Sequence, residues 1–573
     1  MSMNNSENMK EFFSAAATEN TDNHFVEGVV SPEQADFLHR LVDLGTSFMD
    51  GKHRDGLVLK YADNETLKQL VAEPLPVKGS SLDGLLQDIE QKILPYSIAQ
   101  SDKRFLAFPD TGNSLATLAA DVLAPFTNQN MIAVDRSAPV ATFVEIQTLL
   151  WLRELIGYSA PAMKDLKSLD QVGGMWTPGG NLSNYMSVLG ALHKRFPEVR
   201  KGGLWSLKKR PVIVVARGID HFSFANAAVA LGLGSDGILW AEANSAYQTD
   251  TNSLRKVLDN CPPDVEPFMV VSVAGNCRTT SIDNLQEIRS ICDERGLWMH
   301  ADSCHGGSLL FSPKLKKEML PGIELADSVS LDPHKGLFLT YPASYVLFKD
   351  PTTLAALSRY PEKTKEPGQF DLGLITPFLG SRGFQSLKLW MLMKHLGIDG
   401  ISKAIEARQE TNRTLTNVLK DSELFVLLNE SQFYRQAFVF CPRPVSEFLQ
   451  TAELSPEQQK VAHNLINRYS NKFNNALYQS GEIVFDAYQM NDLGNLLKLG
   501  RDAKFSVLSM SIGHAHISPE IVGSIERRLR TVGIGFAKDM IEDFADIDIH
   551  VGRPYRPADE VAEPAKPQGP AGW

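Results

Sequence analysis

The sequence predicts an α/β protein built on a mainly parallel sheet, with a helical amino-terminal segment before it and a smaller α+β domain after it. Three observations carry that expectation. Between about 130 and 350, β-branched runs (RPVIVVAR, PFMVVSVAG, LWMHADS, ASYVLF) alternate with helix-like stretches such as NLQEIRSICDERG, the rhythm of successive strand-helix-strand units. Near the amino terminus, Ser31, Pro32 and Gln34 form a helix-start signature, and apolar residues follow at helical spacing through Phe37, Leu38, Leu41, Val42 and Leu44. In the last part, Ser455-Pro456-Glu457 and Ser518-Pro519-Glu520 each open a helix beside an apparent strand such as KFSVLSMSI.

These patterns divide the chain into a helical segment over 1–125, a large α/β domain over 126–395, a small α+β domain over 396–552 and a Pro- and Ala-rich tail over 553–573 that is expected to be disordered. The stretch SRGFQSLKLWMLMKHLGIDGISKAIEARQE reads as a long helix followed by a second, a connection between the two domains. At 573 residues the chain exceeds one ordinary core. Its 43% hydrophobic and 22% charged residues are a globular composition. No apolar run approaches the ~18 residues that a membrane span needs. The amino terminus lacks a basic start followed by an apolar stretch, so a cytoplasmic location is expected. Five cysteines without a CxxC pair argue against a disulfide framework and a zinc ribbon. A net charge of −11 with scattered Lys and Arg offers no footprint for nucleic acid, which leaves a small molecule as the expected ligand.

Open α/β sheets bind ligands beyond the carboxyl ends of their strands, and four polar clusters fall there. After LDQVGGMW come Thr177, Pro178, Gly179, Gly180, Asn181, Leu182, Ser183 and Asn184 at the start of a helix, where backbone amides can close on a phosphate. His221 follows RPVIVVARGID, Asp302 ends LWMHADS, and Lys335 sits in SVSLDPHKG. Each has an ordinary reading when taken singly: a turn, a structural histidine, a helix cap, a solvated lysine. Together they supply an amine for an imine, an acid for a pyridine nitrogen, a phosphate cradle and a flat group for a ring, the needs of pyridoxal 5′-phosphate (PLP). Asp302 and Lys335 are 33 residues apart, about one crossover, so both can reach one sheet edge. Desolvation is expected to lower the Lys335 pKa and so free the amine for attack on an aldehyde.

The motifs SLDPHKG, LWMHADSCHGGSLLFS, MWTPGGNLSNYMS, FLAFPDTGN, APVATFVE and LGSRGFQSLKLW together resemble the group II PLP-dependent amino-acid decarboxylases, the family of glutamate, cysteine sulfinate and aromatic amino-acid decarboxylases. The likeness runs from roughly 100 to 400. It implies the aspartate aminotransferase-like PLP fold type I and a homodimer with active sites at the subunit interface. It also implies Lys335 as the Schiff-base lysine, Asp302 as partner of the pyridinium and His221 as the ring-stacking, substrate-side residue. Gly179, Gly180, Asn181 and Ser183 would hold the phosphate, with Asp332 near it and Cys277 and Cys304 beside the cofactor. Thr111 and Phe108 would lie on the substrate side, and Tyr360, in LSRYPEKTKEPGQFDLG, would protonate the substrate carbon after CO₂ leaves. Ser303, Cys304 and His305 after the acid, and Asn276 and Cys277 where the family often has Gly-Thr-Thr, depart from its pattern.

The expected reaction is α-decarboxylation of an L-amino acid, acidic or small polar, through an aldimine on Lys335 and a quinonoid carbanion. Oxidative deamination to an aldehyde, transamination and carbon–carbon lysis share the early steps and stay open as alternatives. The Gly232-to-Gly237 segment formally matches GxGxxG but follows an Ala-rich helical stretch instead of a strand, and so lacks the context of a dinucleotide fingerprint. His514 with His516, or Cys304 with His305, are too few ligands for a metal, and none is expected.

Overall fold

The computed structural model describes Val26 and residues 28–375 and 377–547, so the tail over 553–573 lies outside the described residues. The chain forms two compact units, divided between Ala99 and Gln100. In the first, helix α1 (Pro32–Met49) starts as its residues dictate: the Ser31 hydroxyl accepts from the Gln34 amide at 3.2 Å, and the Gln34 side chain accepts from the Ser31 amide at 3.0 Å. Helices α2 (Asn64–Val71) and α3 (Leu82–Asp88) follow, capped by Asp63 and Ser81.

The second unit begins earlier than the expected boundary at 125/126, and strand pairing is the reason. Strand β1 (Phe105–Leu106) lies parallel to a carboxyl-terminal strand, with Phe105 opposite Val484, so residues after 100 fold with what comes last in the chain. Helix α4 (Leu115–Thr127) then packs on a long helix of the same unit.

The large sheet contains β2 (Gly174–Thr177), β3 (Arg210–Ala216), β4 (Ile238–Ala241), β5 (Val265–Val273), β6 (Trp298–Asp302), β7 (Ser328–Leu331) and β8 (Ser344–Phe348) in the order β2-β8-β7-β6-β5-β3-β4. The β3, β4, β5, β6 and β7 pairings are parallel, and β8 runs against its neighbours. Near-continuous apolar strands mean both faces are covered. Val214, Val270, Met299 and Val329 join one apolar cluster, whereas Ile213, Val215, Met269 and Val271 join another with Val188, Ala191 and Leu192 of helix α5 (Gly180–Arg195). This mostly parallel seven-stranded sheet is the architecture of PLP fold type I.

Helix α6 (Leu387–Asp421) is two helices merged at a kink at Gly397 (φ 61°, ψ 177°), the long-then-second helix that the sequence predicts. Beyond it, β9 (Phe425–Leu427), β10 (Arg435–Phe440), β11 (Val484–Asn491) and β12 (Lys504–Ser511) make a second sheet in the order β1-β11-β12-β10-β9. Helices α7 (Pro456–Ser480) and α8 (Pro519–Ala545) belong to this part, each opening at its expected Ser-Pro pair.

Candidate active site

Strand β7 ends at Leu331 and the chain turns at once, the Lys335 amide donating to the Asp332 carbonyl at 2.7 Å. That turn folds the Lys335 ammonium back onto Asp332, Nζ to Oδ2 at 2.7 Å, with the carboxylate fully buried and His334 Nε2 3.9 Å from it. Burial acts to depress the amine's pKa, but the Asp332 carboxylate outweighs it and holds the pKa well above the ordinary lysine value. This corrects the expectation of a neutral amine: in the cofactor-free chain Lys335 is an ammonium. Asp332 responds in kind, for burial pushes its pKa up while Lys335 and His334 pull it below the usual carboxylate range.

Asp302 closes β6, the parallel neighbour of β7, directly opposite Ser330. One crossover therefore brings the two strand ends together, as their sequence separation implies. Asp302 is anchored on both oxygens: Oδ2 accepts from Asn184 Nδ2 at 3.0 Å, and Oδ1 accepts from the Cys304 amide at 3.2 Å and the Ser330 hydroxyl at 3.4 Å. Asn184 also donates to Ser223 Oγ at 2.9 Å and meets His300 Nε2 at 3.2 Å. Ser223 in turn bonds His221 Nδ1 at 2.8 Å, so His221 and Asp302 belong to one network. Burial brings the pKa of His221 down to about 4, against the pull of Asp302, and that of His300 likewise to about 4. Both imidazoles are neutral at physiological pH.

The first turn of α5 faces this cluster. A Cβ on Gly180 would lie 2.5 Å from Cys304 Sγ and 2.6 Å from Asp332 Oδ2, so only glycine lets the helix start approach so closely. Ser183 is locked by Thr177, Oγ to Oγ1 at 2.6 Å, and the Leu182 and Ser183 amides donate to the Gly179 carbonyl at 3.0 and 3.2 Å, so that the helix opens directly after Gly179. Gly180→Ala is therefore expected to weaken PLP binding at least about tenfold, read by absorbance titration of the apoenzyme. An amine, an anchored carboxylate and a helix start, with the Asp332 Oδ1 atom buried and unbonded, fit PLP.

The remaining residues named from sequence are placed unequally. Cys304 is buried against Ser330, Sγ to Oγ at 3.5 Å, and burial lifts its thiol pKa well above the ordinary value, so it packs as a small apolar group. Cys277 is half-buried, its carbonyl accepting from Arg435 and its thiol pKa raised by burial. Thr111 is buried and donates to Asn113 at 2.8 Å, Phe108 packs beside Phe105, and Asn181 is exposed. Tyr360 is 41% exposed with Arg359 and Lys363 about its ring, and the structure does not bring it to Lys335. Sequence reasoning placed Asn184 only in the phosphate cluster and gave His300, Ser223 and Ser330 no role. Asn184 lies within the quoted MWTPGGNLSNYMS motif, but only the sheet's topology shows which acid it serves.

A model of the pyridoxal-dependent decarboxylase conserved domain matches residues 64–440. The chain belongs to the pyridoxal-dependent decarboxylases. This decarboxylase is a carboxy-lyase that uses pyridoxal 5′-phosphate. It is 27% identical over 418 residues to human cysteine sulfinic acid decarboxylase, covering 72% of this chain and 82% of that protein. It is also 27% identical over 459 residues to the mouse acidic amino acid decarboxylase GADL1, covering 76% and 80%. Mouse CSAD in its apo form shares the fold with a TM-score of 0.75 at 23% identity, covering 87% of this chain and 98% of that one. The Oryza sativa protein TDC, solved with PLP and tryptamine, superposes with a TM-score of 0.74 at 18% identity, covering 90% and 100%. No described helix of this decarboxylase is long and apolar enough to cross a membrane.

Proposed function

We propose that this decarboxylase removes the α-carboxyl group of an L-amino acid with an acidic or small polar side chain, releasing CO₂ and the amine. The observation that carries the reading is that Asp302 and the turn holding Lys335 follow two adjacent parallel strands, with Cys304 and Asp332 of those two strand ends against the start of α5. The acidic preference is supported by the two relatives whose names specify acidic or sulfinic substrates. When bound, the cofactor supplies an aldehyde that condenses with amines and a pyridinium ring that accepts the electron pair left when a bond at Cα breaks.

Lys335 provides the amine for attachment, and Asp332 keeps it turned toward the strand end. Asp302, fixed by Asn184, Ser330 and the Cys304 amide, would face the ring nitrogen and favour its protonated form. His221, neutral through burial, would present a flat face to the ring without adding charge. Gly179, Gly180, Asn181 and Ser183 take the phosphate at the helix start, and Cys304 and Cys277 line the cofactor's surroundings. Thr111 and Phe108 lie on the substrate side. The working enzyme is a cytoplasmic homodimer whose sites lie at the subunit interface.

Tyr360 is assigned the proton returned to Cα after CO₂ departs, delivered when its loop closes over the substrate. Tyr360→Phe is expected to lower amine formation about 100-fold while leaving cofactor absorbance unchanged, and wild-type amine yield from that variant would remove the assignment. The overall test incubates the PLP-loaded enzyme with the twenty amino acids, cysteine sulfinate and diaminobutyrate while following CO₂, amine, aldehyde and peroxide. Stoichiometric CO₂ and amine from an acidic or small polar substrate is the expected result. Aldehyde with peroxide would replace this reading with oxidative deamination, and oxo acid without CO₂ would replace it with transamination.

A further inference from the structure

The chain after β1 runs along the loop that follows Lys335. The Ser114 amide donates to the Phe338 carbonyl at 3.2 Å, and a Cβ on Gly112 would lie 3.3 Å from Thr340 Cγ2. The Tyr341 hydroxyl donates to Asp110 Oδ2, while the Tyr341 ring lies 4.5 Å from that of His334, the residue before Lys335. Asp110 is thereby close enough to feel the charges of His334, Lys335 and Asp332. It is 5% exposed, and its Oδ1 atom is buried with no hydrogen-bond partner among the described residues.

Such a group needs an explanation, because an ionised oxygen buried without a donor costs free energy that a fold does not spend idly. The neutral acid resolves half of the difficulty. With the proton on Oδ1, Oδ2 still accepts from Tyr341, and Oδ1–H becomes a donor that lacks only an acceptor. Burial favours that form, raising the pKa of Asp110 by more than His334, Tyr341 and Lys335 lower it, with Asp332 adding to the rise.

We propose that Asp110, oriented by Tyr341, reads the side chain of the substrate, its neutral carboxyl donating Oδ1–H to the anionic head of an acidic amino acid. This rests on the reading of the site as an amino-acid decarboxylase with an acidic substrate, and it names the group that recognises the acid. A carboxyl that receives an anion also discriminates: a cationic side chain finds a proton where it needs a lone pair.

The test compares Asp110→Asn, Asp110→Leu and Tyr341→Phe with wild type in the PLP-loaded enzyme, using aspartate, glutamate, cysteine sulfinate and diaminobutyrate. An amide keeps an N–H donor and an acceptor where the neutral acid has them, so D110N is expected to hold kcat/KM on the best acidic substrate within about threefold. D110L removes both and is expected to raise KM about 100-fold with kcat much less changed. Y341F, which leaves Asp110 in place but loosely held, is expected to raise KM about tenfold. The KM of wild type should climb as pH rises and Asp110 ionises among His334, Lys335, Asp332, Tyr341 and Tyr434, and D110N should lack that alkaline rise.

D110N as impaired as D110L would overturn the proposal. So would a wild-type preference for diaminobutyrate that D110N abolishes, since that is the signature of an ionised carboxylate binding a cation. If D110L does not fold, the D110N and Y341F results decide. Binding is also read without turnover, from the absorbance shift on adding each amino acid. Acid binding that depends on Asp110 without CO₂ release would reject decarboxylation and leave this inference standing, whereas CO₂ release from D110L at wild-type KM would reject this inference alone.

Discussion

Lys335→Ala is expected to lower CO₂ release by at least about 10³-fold and to abolish the near-visible absorbance of the lysine-bound cofactor. The same substitution has a structural cost. Asp332 is fully buried, holds Lys335 Nζ at 2.7 Å through Oδ2 and has no hydrogen-bond partner for Oδ1 among the described residues. Without the ammonium, the buried carboxylate keeps the Ser344 hydroxyl and His334, at 3.9 Å, but no full counter-charge, and the cofactor-free variant should lose about 3 kcal/mol of stability at neutral pH. The sign of the pH dependence follows. In the wild-type chain the Asp332 pKa lies below the usual range, so its contribution is present above the unfolded carboxylate pKa and fades as pH falls through the folded one. In the variant the pKa of Asp332 rises instead, the group takes up a proton in mild acid, and the deficit relative to wild type should shrink between pH 8 and pH 5. Denaturant melts of both proteins at the two pH values check this, and a constant deficit would mean that Asp332 does not carry the charge.

Asp302→Asn should be nearly as damaging to turnover, with a loss on the order of 10³-fold, but for a different reason and with a different signature. The amide is the same size and can still bond Ser330 and the Cys304 amide, so PLP should bind and its absorbance should persist. What disappears is the anion proposed to keep a proton on the ring nitrogen. Asn184→Leu separates position from charge: it removes the 3.0 Å donor to Asp302 Oδ2 and leaves the carboxylate in place. It is expected to fall between wild type and D302N. D302N turning over at the wild-type rate would show that no carboxylate is needed at that strand end.

Much of this was readable in the residues because strand ends leave local marks. SVSL before DPHKG and LWMHA before DSCHGG each show an apolar strand stopping at a polar residue, and parallel topology guarantees that such stops gather along one edge. The Ser-Pro helix starts at 31, 455 and 518 were legible for the same reason, since a helix start is a pattern of a few consecutive residues, closed by a capping box at 31 and 455 though not at 518. The amino-terminal boundary was not, because it is set by Phe105 pairing with Val484, and no local pattern announces a partner almost four hundred residues away. The protonation of Lys335 was misjudged by reasoning about burial alone; the deciding carboxylate is three residues upstream, and only the turn after β7 points it at the amine. Asp110 was in plain view beside Thr111, yet its partner Tyr341 comes from the far side of the lysine loop.

Gly180 and Asn184 stand one turn apart on the same face of a single helix, the first against Asp332 and Cys304, the second bonded to Asp302. Four residues of α-helix measure about 6 Å, and that length cannot be stretched. The rod therefore acts as a calliper whose two jaws grip opposite ends of whatever lies between them. Inserting one alanine between 180 and 184 would swing the second jaw by about 100° and break the Asn184–Asp302 bond while Gly180 still faced Asp332.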